Sequence, residues 1–300
     1  MVYFFIMEDP ELETEQIQAL FREKMQGMPK KARRVVEYLL MNMREAAFRS
    51  IGDVADGLGV SKAQMVRVSR LLGFEGYADL KETLQDAVLG QVNPAAMLAR
   101  VMDNRQDLPA TIHRLEHANL DDTWSQLRPE KVSAFCSKLR EADSIYCAGW
   151  GISTLVAQSL FMRLRIMGMK AFLMTRSYMT LQEQARSVGP GDVVVVCELP
   201  SFVIEVTQAV EKAKMKGAGT ITITDNPAAP ICRYSDLPFF VSAASPMFGS
   251  SVIGPLFLVH VLTSVLAVNM GDSARKALEE QSEFLHDERI FHPVFGLKYS

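Results

Sequence analysis

Hydrophobic positions change their spacing partway along this 300-residue chain, and the change divides it. Up to about residue 90, apolar residues recur every three or four positions, the pattern of helices that bury one face. Residues 14–44 predict one or two helices, with Pro29 in a first-turn position and Ala32, Val35, Val36, Leu39 and Leu40 facing inward. Ile51, Val54, Ala55 and Leu58 then define a short helix, with Ser50 as its cap. Gly59 follows where a left-handed residue often ends a helix. Ser61 is placed to cap a second helix, with Gln64 as its capping-box partner. That helix is expected to bury Ala63, Val66 and either Leu71 or Leu72, leaving Lys62, Gln64, Met65, Arg67, Ser69 and Arg70 on or near the open side. A further helix, ADLKETLQDAVLG, closes the small core.

Residues 91–135 are polar and helical in pattern, broken at Pro94, Pro109 and Pro129, and predict one or two bridging helices. From Asp143 short apolar runs alternate with helical segments: SIYCAG, KAFLMT, VVVVCEL, TITITD and DLPFFVS read as strands. Alternation at these lengths predicts a parallel sheet in a three-layer α/β/α sandwich with right-handed crossovers. The fold class is therefore α/β, with an all-helical domain over 1–90, a helical linker over 91–130 and an α/β domain with a C-terminal tail over 131–300. GPLFLVHVLTSVLAVNM is apolar enough to raise the question of a membrane, but His260, Thr263, Ser264 and Asn269 interrupt it. A dimer core accounts for it better than a bilayer span.

Two short helices around a glycine-containing turn form the helix-turn-helix pattern, whose second helix enters the major groove of double-stranded DNA. The alternative is an ordinary helical hairpin with a solvated charged face. The global charge of −3 looks wrong for DNA until it is read by segment. Between Pro29 and Leu72 nine basic residues stand against four acidic ones, a local excess of about five positive charges. Lys62, Gln64, Arg67 and Arg70 are the candidate contacts on the second helix, while Lys30 and Arg34 stand beside the phosphate backbone. Ser69 is either a phosphate donor or a packing hydroxyl.

The second candidate site lies where strands end in loops. Gly149-Trp150-Gly151-Ile152-Ser153-Thr154 runs from the first strand into a helix, whose N-terminal N–H groups suit an anion. Cys197-Glu198-Leu199-Pro200-Ser201 follows the third strand, so both loops line one crevice of a parallel sheet. Gly149, Trp150, Gly151, Ser153, Thr154, Glu198, Ser201 and Glu205 are the candidate ligand residues. Trp150 either stacks on a ring or wedges domains together. GWGIST lacks the third glycine of a dinucleotide fingerprint, and no GxxxxGK[ST] motif is present, so no cofactor is expected.

The four cysteines are scattered without a CxxC pair and read as buried free thiols rather than a zinc site or disulfide scaffold. His286, Asp287, Glu288 and His292 lack a recognised metal-binding spacing, and a tail packing on a neighbouring subunit is the preferred reading. The opening MVYFFIM is seven residues long, too short to span a bilayer, and reads as a packing arm. A cytoplasmic location follows by elimination.

SIGDVADGLGVSKAQMVRVSRLLGFEGYADLK resembles the helix-turn-helix domain of RpiR-type transcriptional regulators, and residues 130–270 resemble a sugar isomerase (SIS) domain. The resemblance implies a homodimeric or homotetrameric regulator of sugar-related genes, many of whose members sense phosphosugars through the SIS domain. One loop departs from it: where a phosphosugar-binding SIS domain usually has a serine-rich SxSGxT-like turn, this chain has CELPSF. Pro200 lacks an N–H, and Glu198 sets negative charge where phosphate needs donors. Three readings stay open: a degenerate pocket used for dimerisation, a neutral or amine-bearing ligand facing Glu198 or Glu205, and a conventional phosphosugar. The function expected is metabolite-controlled, sequence-specific transcription regulation, without catalysis. The rivals are a DNA-binding scaffold and an SIS-domain sugar-phosphate isomerase, for which Glu183, Glu205 and His260 are the few acid/base candidates. His260 reads as a hydrogen-bonded core histidine.

Overall fold

A computed structural model of the chain describes residues 10–25, 27–91, 94–103, 107–247, 249–290 and 292. They fall into two units, one built on the chain up to Ile112 and one on most of the chain from His113. The opening apolar arm and the tail beyond residue 292 lie outside the described residues.

The first unit contains α1 (Pro10–Met25), α2 (Lys30–Met41), α3 (Met43–Phe48), α4 (Ile51–Leu58), α5 (Lys62–Leu72), α6 (Tyr77–Gln91) and α7 (Pro94–Asp103). Pro29 stands at the cap just before α2, at φ −57, where its missing N–H loses no helical bond. The reciprocal capping box is one helix earlier than the spacing predicts. Ser50 Oγ accepts from the Asp53 N–H at 3.1 Å, and the Asp53 carboxylate accepts from the Ser50 N–H at 3.3 Å. Ser61 does cap α5, accepting from the Gln64 N–H at 3.2 Å, but no return bond from the Gln64 side chain is present among the described residues. Gly59 adopts φ +63 and donates back to α4, so the turn needs a residue free of a Cβ penalty.

α5 sits in this unit rotated from its predicted setting. Its buried stripe is Met65, Val68, Ser69 and Leu72, while Ala63 and Leu71 are exposed and Val66 is half-buried. α1, α2, α4 and α6 all pack against it. The longer Met65 and Leu72 side chains fill the core shared with Phe21, Leu39, Leu80 and Leu84, which one Ala63 methyl could not do.

The second unit comprises most of α8 (Leu108–Gln126), then α9 (Pro129–Glu141), β1 (Ile145–Gly149), α10 (Ser153–Ile166), β2 (Ala171–Met174), α11 (Leu181–Gln184), β3 (Val193–Glu198), α12 (Ile204–Met215), β4 (Gly219–Thr224), β5 (Leu237–Phe240), α13 (Ile253–Met270) and α14 (Asp272–Asp287). Three helices, α7 to α9, thus occupy the stretch from which one or two were expected. α14 follows Gly271 directly; its charged sequence buries only Ala274, which is why apolar spacing does not announce it.

All strand pairs are parallel, in the order β2-β1-β3-β4-β5. Alternation along β3 and β4 assigns the faces. Val193, Val195, Cys197, Ile221 and Ile223 share a core with α9, α10 and α13. Val194, Val196 and Glu198, with Thr220, Thr222 and Thr224, alternate onto the opposite face, where α12 packs on β3 and β4. α13, long and apolar enough to cross a membrane, lies against α9 and α10 and buries Leu258, Val259, Leu262 and Leu266. A Cβ on its Gly254 would stand 2.3 Å from the Ser242 carbonyl oxygen, so close approach at its start requires glycine.

Candidate DNA-facing helix and effector cleft

In the first unit, α5 presents Lys62, Arg67 and Arg70 to solvent, and α2 presents Lys30 and Arg34. Gln64 is half-buried beside its cap. The Lys62 side chain lies across Gly52, with Cε 3.2 Å from where a Cβ there would sit. Arg70 Nε donates to the Glu75 carbonyl oxygen at 3.1 Å, which holds its guanidinium over the end of α5. Arg67 is exposed and makes no hydrogen bond or ion pair with the described residues.

Met65 and Ser69, expected near the open side, are inside. Ser69 Oγ donates to the Met65 carbonyl oxygen at 3.0 Å, so its hydroxyl is satisfied by the preceding turn and is a packing group. Ala63, Arg67 and Leu71 instead share the outer stripe; their i, i+4, i+8 spacing is the signal for it.

In the second unit the strand order reverses between β1 and β3, the switch point at which open parallel sheets bind ligands beyond their carboxyl ends. There the β1–α10 and β3–α12 loops enclose a cleft of about 50 Å³, lined by Trp150, Ser153, Glu198, Pro200, Ser201 and Phe202 among others. Such a volume holds a few waters or one end group of a ligand, against the several hundred Å³ of a whole-ligand pocket. Trp150 is 40% exposed at the rim. Ser201 and Phe202 have φ of +139 and +37, a backbone setting that side-chain-bearing residues hold only under constraint from their surroundings.

The loops differ from their predicted chemistry in one respect. The Ser153, Thr154 and Leu155 N–H groups donate to the Trp150, Gly151 and Ile152 carbonyl oxygens, each at 3.1 Å. The start of α10 therefore does not offer these amides to an anion. Gly149 permits this tight turn, since a Cβ there would lie 2.6 Å from the Ser153 carbonyl oxygen, and Gly151 takes φ +56. Ser153 is buried, and its Oγ accepts from the Leu199 N–H at 3.1 Å, joining the two loops. Thr154 Oγ1 donates to the Gly149 carbonyl oxygen at 3.1 Å, a structural bond.

Glu205 does not line the cleft. Its Oε1 accepts from the Leu181 N–H at 2.8 Å and its Oε2 lies 3.4 Å from Arg176 Nε, so it secures the loop before α11. Glu183 is engaged in a capping box with Thr180. His260, expected in the core, is exposed on α13, because the buried stripe runs through Leu258, Val259 and Leu262.

Glu198 remains in the cleft wall, 3% exposed. Burial, reinforced by the Asp225 carboxyl, pushes its pKa up to about 8, while the Val203 N–H pulls the other way. Cys197 behind it is buried, and its thiol is pushed well above the usual range by desolvation.

Comparison with known proteins agrees with this division. Residues 15–89 match the family model for the rpiR-family helix-turn-helix domain, and residues 138–265 match that for the SIS domain. The HTH-type transcriptional regulator RpiR of Escherichia coli K12 is 31% identical over 225 residues, covering 72% of each chain. An uncharacterized HTH-type regulator of Caldanaerobacter subterraneus is 23% identical over 279 residues, 91% of this chain and 98% of its own. Among solved structures, Vibrio vulnificus NanR complexed with ManNAc-6P aligns with a TM-score of 0.62 at 23% identity, covering 90% of this chain and 98% of that one. The sugar isomerase domain of an RpiR transcription factor from Sphaerobacter thermophilus gives a TM-score of 0.57 at 24% identity over 59% of this chain and 99% of that one.

Proposed function

The chain belongs to the RpiR family of helix-turn-helix transcriptional regulators with an SIS domain, and from that premise we propose how it works. It binds double-stranded DNA through α5 and alters that binding when its SIS unit takes up a small, sugar-derived metabolite. The observation that carries this reading is the outer face of α5: a capped helix whose Lys62, Arg67 and Arg70 are all exposed, against a core that holds the opposite face. Lys30 and Arg34 on α2 supply phosphate contacts that position the unit without specifying bases.

The SIS unit acts as a sensor and not as a catalyst. Its acid/base candidates support this, since Glu183 and Glu205 are engaged in loop structure and His260 is on the outside of α13. The binding of ManNAc-6P to a protein of this fold supports a sugar-derived effector class, and the loops at the β1/β3 switch point are the site for it. An exposed apolar stripe along α10, Leu155, Met162 and Ile166, supports pairing of two copies, which would space two DNA-reading helices on repeated half-sites.

A binding selection on genomic fragments with the purified chain tests the reading. Enrichment of a few fragments that share a repeated element, resistant to unrelated competitor DNA, is the expected result. Equal competition by unrelated DNA would reject sequence-specific regulation, and turnover of a panel of sugar phosphates would restore the isomerase.

A further inference from the structure

A carboxyl is buried at the end of β3 with no side chain paired to it. Glu198 is 3% exposed, and neither Oε1 nor Oε2 makes a hydrogen bond of normal geometry with the described residues, although the Val203 N–H at the start of α12 approaches the carboxyl. Its register partner on β4 is Thr224, fully buried, whose Oγ1 is also unpartnered. This is not a general property of the strand face. Thr220 Oγ1 donates to the Tyr234 carbonyl oxygen at 2.6 Å, and Thr222 Oγ1 donates to Ser235 Oγ at 2.8 Å. Only at the ligand-binding end of the sheet does the pairing stop. Buried polar groups are nearly always satisfied, and leaving a carboxyl unpaired costs more than leaving a neutral group so.

Several hydrogen-bond donors in the surrounding loops are already engaged. Three amides at the start of α10 donate to their own turn, the Leu199 N–H donates to Ser153, and Pro200 has none. Asp225, following β4, adds negative potential at Glu198. The site thus offers acceptors and negative charge where an anion would need the reverse.

We infer that the cleft takes its effector by a protonated amine, seated on the Glu198 carboxylate and the Thr224 hydroxyl, and that phosphate is excluded from this position. An ammonium carries three N–H donors; Glu198 Oε1 and Oε2 in the cleft wall are acceptors for it, and Thr224 Oγ1, at the same register on the neighbouring strand, is a further one. Register partners on adjacent strands are roughly 5 Å apart, within reach of one such group. The cleft volume admits an end group of that size, with the rest of the ligand passing outward by Trp150. The inference rests on the reading of the second unit as a metabolite sensor and narrows the effector to an amino-bearing sugar derivative.

The test is calorimetric and thermal-shift titration of the full chain with 1-amino-1-deoxy-D-glucitol, D-glucitol and D-glucitol 6-phosphate, with methylammonium and inorganic phosphate as minimal probes. Wild type is compared with Glu198→Gln and Thr224→Val. The amino compound should bind wild type at least tenfold more tightly than Glu198→Gln and severalfold more tightly than Thr224→Val. The phosphate compound should bind no better than D-glucitol. Tighter binding of phosphate than of amine, equal amine binding in Glu198→Gln, or no response to either amine probe would overturn the inference. DNA selection on the same preparation, without ligand, keeps the outcomes apart. Specific DNA binding with no amine response sinks only the inference, whereas amine binding without specific DNA binding sinks the regulator.

Discussion

Ser153 Oγ accepts a hydrogen bond from the Leu199 N–H at 3.1 Å, and through it the loop after β1 holds the loop after β3. Both residues are buried, so water cannot replace the bond without entry into the cleft wall. Ser153→Ala leaves the Leu199 N–H unsatisfied and should cost about 1–3 kcal/mol of stability in the second unit. Denaturant unfolding followed by a probe in that unit measures it. A change below a few tenths of a kcal/mol would show that the loops are held by other contacts.

Glu198 gives the second unit a defined pH response. Its carboxyl ionises near 4.5 when unfolded and near 8 when folded, because burial and the neighbouring Asp225 disfavour the charge. Below 4.5 both states hold the proton and the group contributes nothing to the pH slope. Between 4.5 and 8 the unfolded chain loses the proton first, so stability falls as pH rises, by a total on the order of 4 to 5 kcal/mol, and levels off above 8. Glu198→Leu should remove that slope and raise the melting temperature at neutral pH. Parallel melting curves of wild type and variant from pH 5 to pH 9 check it; identical slopes would refute the assignment.

Amine binding should carry the opposite pH signature. Asp225 faces Glu198 from the end of β4 and Cys232 couples to it from the 3-10 helix before β5, while the Val203 N–H approaches from the start of α12. None of these supplies a cation, so an ammonium must meet an ionised Glu198, and binding releases a proton below about pH 8. Affinity for 1-amino-1-deoxy-D-glucitol should rise up to tenfold per pH unit between pH 6 and 8. A flat profile in calorimetry over that range would contradict it.

Gly149→Ala places a Cβ against backbone atoms of Ser153 and Thr154 at 2.6–3.0 Å, with no flexible side chain to give way. The turn into α10 must open, and with it the Ser153–Leu199 bond. We expect a loss of about 2 kcal/mol or more together with loss of effector response, read by melting temperature and titration. Retention of both would mean that the turn is softer than its contacts imply.

On α5, Arg67 and Arg70 should separate. Arg67 is unengaged, whereas Arg70 is tethered to the Glu75 carbonyl oxygen. Arg67→Ala should weaken operator binding by about 1–3 kcal/mol if it reads a base, with relaxed selectivity at one position, or lower the salt slope by about one if it meets phosphate. Arg70→Ala should add a loss of helix-end stability that Arg67→Ala lacks. Titration of a labelled operator at several salt concentrations, beside thermal melts, distinguishes them, and unchanged affinity in Arg67→Ala would remove it from the interface.

Much of this protein was readable in order of residues alone. Ser61, Gly59 and the apolar spacing around them act over three or four positions, so the helix pair and its turn follow from local chemistry. The five strands likewise follow from short apolar runs between helical segments. The same local signals misplaced α5 by a fraction of a turn, since Ala63 and Met65 are both acceptable inward residues in isolation. Four packing helices made the choice, because only the longer side chain fills the space between them. α14 escaped notice for the related reason that it buries almost nothing.

The cleft shows the division most plainly. Residue types at positions 149–154 and 198–201 are enough to place a ligand loop at each strand end, and CELPSF alone argues against ordinary phosphate chemistry. What residue types cannot express is which hydrogen bonds are already made. That the α10 amides are engaged by their own turn, that Glu205 belongs to Leu181 and Arg176, and that Glu198 is left beside Thr224 with no side-chain donor, is decided by contacts that only the folded chain makes. Local propensity acts over one turn of helix, but satisfaction of a buried polar group depends on every segment that surrounds it.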